Sequence, residues 1–125
     1  MTQSEKTNRG LSFEDAVFKK YGGIKHIAFK EGELVKSNRG ATIPDITRIV
    51  DGELEAIECK SINSDFYQAG HALKRELNRR AIHLPEGTNQ RIVFEDFNFT
   101  EEEKAEIKSM IESITGYSLI DFLSR

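Results

Sequence analysis

At 125 residues, with 38% hydrophobic and 31% charged side chains, the chain has the size and balance of one globular domain with its own core. No apolar run approaches the roughly 18 residues needed to cross a bilayer, so no membrane span is expected. The polar opening MTQSEKTNRG lacks the apolar stretch of a secretory signal. A single cysteine, Cys59, rules out an internal disulfide and a cysteine-rich zinc site, and the three histidines, His26, His71 and His83, show no metal-ligand spacing. The formal net charge of −3 argues against a nucleic-acid partner only until its distribution is considered. Residues 1–93 carry 15 Lys/Arg against 13 Asp/Glu, whereas residues 94–125 carry 3 against 8, so the acidic excess lies in the tail.

Residues 1–10 read as a disordered lead-in to a single domain over 11–125. The first helix is expected at about 12–22, with Ser12 as N-cap, Asp15 completing a capping-box-like pair, and Gly22-Gly23 as the stop. Phe13, Ala16, Val17, Phe18 and Tyr21 make its apolar stripe, and Glu14 projects into the same side, an unusual place for an acid. A strand is expected at 24–29, then a loop or weak hairpin over 30–43. The strongest local unit follows: a strand over 45–50, the turn Asp51-Gly52, and a strand over 53–60, which together predict an antiparallel hairpin. A helix at about 64–82, capped by Ser64, a strand at 90–95 and a helix at about 101–114, capped by Thr100 with Glu103 and stopped by Gly116, complete the pattern. The final YSLIDFL fits either a strand or a short helix. The order α-β-β-β-α-β-α predicts an α/β fold, a mixed sheet flanked by helices.

One spot collects reactive side chains. Asp45 begins the first hairpin strand. Glu58 and Lys60, two apart on the second, share a face. Pairing about the turn sets Asp45 opposite roughly Glu58, and like charges placed so are destabilising unless neutralised. A divalent cation would neutralise them, and two carboxylates with water and phosphate oxygens suit Mg2+ or Mn2+. Lys60 would then orient or deprotonate the attacking water or stabilise transition-state charge. Glu14 is a candidate for a further carboxylate at that site.

Pro44-Asp45, twelve intervening residues, and Glu58-Cys59-Lys60 resemble the signature of the PD-(D/E)xK nucleases, as do the preceding helix with Glu14 and the following helix. The resemblance covers about residues 11–95. It implies a restriction-endonuclease-like α-β-β-β-α-β core, phosphodiester hydrolysis of nucleic acid, and Glu14, Asp45, Glu58 and Lys60 as catalytic residues, with Asp45 and Glu58 on the metal. More narrowly, the layout with GTNQRIVFED (Gly87–Asp96) is similar to C-terminal toxin domains of bacterial contact-dependent growth inhibition and Rhs-type proteins. That similarity implies a chain exported within a larger protein, active in a target cell's cytoplasm on DNA or tRNA, and neutralised by an immunity protein; otherwise it implies a cytoplasmic location.

Two readings compete with it: a catalytically inactive nuclease fold that binds a partner, and a housekeeping resolvase or repair nuclease. A plainer account makes Asp45 a turn initiator and Glu58 and Lys60 a solvated strand face. For substrate contact the candidates are Gln68, Lys74, Arg75 and Arg79, with Arg80, on the polar side of the second long helix. His26 reads as structural, His71 as a surface histidine, Cys59 as a core residue, and Phe94, Phe97 and Phe99 as core or partner surface.

Overall fold

The computed structural model describes residues 3–125, with side chains from residue 12 onward. Among these residues three helices, α1 (Gln3–Tyr21), α2 (Phe66–His83) and α3 (Glu101–Thr115), accompany seven strands. The strands are β1 (Ile24–Lys25), β2 (Ala28–Lys30), β3 (Glu33–Val35), β4 (Ile46–Val50), β5 (Glu53–Lys60), β6 (Asn89–Glu95) and β7 (Ile120–Leu123). The fold is α/β, with a mixed sheet as expected. In order β1-β4-β5-β6-β7, the first three strands pair antiparallel and the last three parallel. A parallel neighbour requires a crossover, and α2 and α3 supply those between β5 and β6 and between β6 and β7.

Alternation along β6 assigns the layers. Ile92 and Phe94 pack with Leu73 and Leu77 of α2 and Ile107 and Ile111 of α3, whereas Val93, between them, packs with Phe13 and Val17 of α1. Successive strand residues face opposite sides, so α1 covers one face and α2 with α3 the other. The β2–β3 hairpin closes the second face beside α2, where Phe29 meets Ala56 and Leu84. Gly70 marks the close approach of α2 to α3, since a Cβ there would lie 2.8 Å from Ile114 Cδ1.

The β4–β5 hairpin has the expected bounds to within one residue, and Asp51 (φ 51°) and Gly52 (φ 81°) adopt the left-handed pair that a two-residue turn between twisted strands requires. Thr100 and Glu103 form the expected capping box, and Gly116 ends α3 in the left-handed conformation. The terminal segment resolves as a strand, β7, whose edge position beside β6 supplies the hydrogen-bond partners that periodicity alone could not reveal.

Four expectations change. α1 begins at Gln3, so Ser12 is an interior helix residue and no cap; Met1 and Thr2 lie outside the described residues, and 3–10 of the expected lead-in belong to this helix's backbone. Phe18 is 36% exposed, outside the buried stripe, with the Lys25 ammonium over its ring. The expected strand 24–29 breaks at His26, whose positive φ (56°) redirects the chain from the large sheet into the small one. Asp65, not Ser64, caps α2, its side chain accepting from the Gln68 amide.

Candidate functional site

Register brings the chemistry together. Lys25 pairs Ile46 and Ile46 pairs Ile57, so one step further His26, Asp45 and Glu58 form a row across three strands at the end of β4. The row is tied by backbone bonds. The His26 amide donates to the Asp45 carbonyl (3.3 Å), and the Cys59 amide donates to Asp45 Oδ2 (2.8 Å). Asp45 thus uses its side chain to satisfy an amide of β5 just past the end of β4. Glu14, 7% exposed, reaches the row from α1: its Oε1 lies 2.6 Å from His26 Nε2. Glu14, His26 and Asp45 each offer a ligand atom within 4.8 Å of the others.

Glu58, 5% exposed, is held by two cations. Its Oε2 accepts from Arg80 Nη1 of α2 at 2.8 Å, and its Oε1 lies 3.3 Å from Lys60 Nζ. Glu76 of α2 completes the group, 3.5 Å from Lys60 Nζ and 3.2 Å from Arg80 Nη2. Arg80 also donates to Thr42 Oγ1 (3.1 Å).

These surroundings set the protonation states. Burial, then the Glu58 carboxylate, raises Asp45 to about 6; Glu14 adds to the rise, while the Cys59 amide and Arg80 oppose it. Burial pulls the Lys60 ammonium down, but Glu58 and Glu76, with Asp45, more than offset it and leave the group above the ordinary lysine value. Lys60 is therefore a fixed cation near neutrality, fitted to stabilise charge and unsuited to accept a proton. Burial, followed by Asp45, Glu58 and Glu14, pushes the Cys59 thiol well above its usual range. The side chain packs beside Phe13, Val17, Ile46, Ile57 and Val93, a core role as expected and no nucleophile.

The state of Asp45 carries a stability consequence. A carboxyl with a folded value above its unfolded one is protonated more readily in the folded chain. The two states bind protons alike below the unfolded value of 3.8, and stability is lost as pH rises from there through about 6. For the metal-free protein this loss is up to about 3 kcal/mol. Urea unfolding in chelator at pH 4 and pH 8 is expected to show it, and Asp45→Asn to remove most of the difference; an unchanged slope in that variant would rule out Asp45 as the source.

The substrate-contact candidates fare unevenly. Gln68, Lys74, Arg75 and Arg79 are exposed on α2. At 3.6 residues per turn, Gln68, Arg75 and Arg79 project outward, away from the buried Leu73–Leu77 stripe, and Lys74 lies on the flank opposite Glu76, so none of the four is brought into the site. Arg80 is a correction: at 6% exposure, bonded to Glu58, Glu76 and Thr42, it is an internal counter-ion with no free surface to offer a phosphate. His71 stacks edge-on with Tyr67 on the surface. Phe94 and Phe99 are core residues in ring contact with Phe66 and Phe122, and Phe97 meets Phe99.

His26, read from the sequence as structural, stands instead beside Glu14 and Asp45. Its signal was the register: an edge strand of two residues antiparallel to β4 sets position 26 beside Asp45, but that pairing is not written in local composition. No helix among the described residues is long and apolar enough to cross a membrane. No protein-family model, curated protein or solved structure matches the chain.

Proposed function

We propose that the chain is a divalent-metal-dependent nuclease of the restriction-endonuclease-like kind, acting on DNA or tRNA. The convergence of Glu14, Asp45, Glu58 and Lys60 on one end of the β4–β5 hairpin carries the reading. A carboxyl with a proton affinity raised by burial and then by its neighbours' negative charge is a position that gains from a cation, and the donors Asp45 and Glu14 fit one by chemistry and proximity. When bound, such an ion supplies Lewis acidity toward phosphate and water. The chain's own residues do the rest. Asp45, anchored by the Cys59 amide, and Glu14 hold the ion. Glu58 holds Lys60 in place through their ion pair. Lys60, with 31% of its side chain exposed, presents a permanent positive charge to the negative charge that builds on the phosphate. Arg75, Arg79 and Gln68, on the exposed side of α2, remain the candidate contacts for the substrate backbone.

The resemblance of the layout to contact-dependent inhibition and Rhs-type toxin domains supports a bacterial toxin domain with an immunity protein as its inhibitor. One assay tests the activity. Purified chain incubated with plasmid DNA and with total tRNA is expected to cleave one of them with Mg2+ or Mn2+ and neither in chelator; intact substrates under all conditions would refute the nuclease reading.

A second reading draws on one observation. Both oxygens of Glu58, expected on the metal, already face protein cations, Arg80 and Lys60. A fold that binds nucleic acid or protein without cutting would show this arrangement. Binding without cleavage in the same assay favours it.

A further inference from the structure

The donors that converge around Asp45 are of mixed type. Glu14 and Asp45 offer oxygen, and His26 offers an imidazole nitrogen, the three within 4.8 Å of one another. The sequence assigned the metal to Asp45 and Glu58, both hard oxygen donors suited to Mg2+. Both Glu58 oxygens instead face protein cations, Arg80 and Lys60, which lessens the need for a metal ion on that side. Glu14, 7% exposed, has no Lys or Arg ion pair among the described residues; its hydrogen-bond partner there is His26, and the Lys25 charge that acts on it is itself paired with Asp15. The His26 ring is half exposed, with 54% of its side chain accessible, so it can turn toward an ion without breaking a packed core.

We propose that Glu14, His26 and Asp45 form a metal site that selects a divalent transition metal, Mn2+ or Zn2+ in type, over Mg2+. The proposal rests on the nuclease reading for the location of the ion and adds His26 as a ligand. Ligand atoms bound at about 2.0–2.2 Å lie up to about 4.4 Å apart across one ion, so donors already within 4.8 Å need only small side-chain rotations. Imidazole is a poor donor for Mg2+, which keeps oxygen ligands and water, and a good one for the later divalent ions. Backbone hydrogen bonding fixes the site's frame. The His26 amide is held by the Asp45 carbonyl, and the Asp45 carboxylate by the Cys59 amide, so ligands from β4 and the end of β1 cannot drift apart independently.

The test uses the full chain, stripped with chelator, and two metals as probes. Calorimetric titration is expected to show Mn2+ binding at least ~10-fold tighter than Mg2+. Pulsed electron paramagnetic resonance of the Mn2+-loaded protein is expected to show coupling to an imidazole nitrogen, shifted by 15N-histidine labelling. His26→Asn is the variant of choice, because asparagine tolerates the positive φ at this position. It should abolish the nitrogen coupling and weaken Mn2+ by at least ~10-fold while changing Mg2+ little. Mn2+ bound without nitrogen coupling in the wild-type chain would overturn the proposal and leave the nuclease reading standing if cleavage is seen. Nitrogen coupling without cleavage of DNA or tRNA would refute the nuclease and keep the site. No binding of either metal would overturn both.

Discussion

Lys60→Ala is expected to reduce nucleic-acid cleavage by 10²–10³-fold or more, the range for loss of one preorganised charge at a transition state, with the fold intact. The physical case is that Lys60 is not a packing residue. Its side chain is 31% exposed and its contacts are the ion pairs with Glu58 and Glu76. Glu58 keeps Arg80 after the substitution, so no buried carboxylate is left alone. The far-ultraviolet spectrum and urea midpoint should therefore stay near those of the wild type. Because Lys60 acts as a charge, Lys60→Arg should retain part of the activity, and the rate should not rise with pH through a lysine titration near neutrality. Full cleavage by Lys60→Ala, measured on the same substrate and metal, would remove Lys60 from the mechanism.

Arg80→Ala is expected to act on stability, by about 1.5–3 kcal/mol, because it takes the closer of two cations from a buried carboxylate and leaves only Lys60, 3.3 Å away. Glu58 at 5% exposure loses its 2.8 Å bond, and Thr42 and Glu76 lose theirs. The size of the effect should come from the incompletely neutralised Glu58 charge more than from lost packing. If so, Arg80→Ala combined with Glu58→Gln should be clearly less destabilised than the sum of the two single variants in urea unfolding. Strict additivity would show that the pair is not energetically coupled. The two experiments separate the roles of Lys60 and Arg80, which reach the same carboxylate through different oxygens.

What could be read in advance followed from local rules. The turn at Asp51-Gly52 sets the hairpin's pairing, and the pairing sets Asp45 against Glu58, so the heart of the candidate site was legible. Glu14 was legible because an acid inside an apolar stripe has few bland explanations. Arg80 was not. It lies one residue from Arg79 on the same helix, and only the packing of α2 over β5 decides which of the two turns inward. His26 was hidden by a break in the chain's direction: the left-handed residue splits what periodicity presents as one strand. The start of α1 was misplaced because a good capping residue, Ser12, occurs within a longer helix.

The turn between β4 and β5 also imposes a parity rule on how this protein can vary. Lengthening both arms of the hairpin equally would carry the bend outward and leave the acids facing each other. Adding or removing a single residue between positions 45 and 58 would leave a bulge or slip one arm by a step, and a slipped arm shows its alternate residues. After a removal Cys59, and after an addition Ile57, would then stand where Glu58 does now, opposite Asp45. Related chains that keep the chemistry should therefore differ in this interval by even numbers, while the connection after β3, residues 36–41, can change its length one residue at a time ahead of Thr42, which is pinned by Phe29 and Arg80.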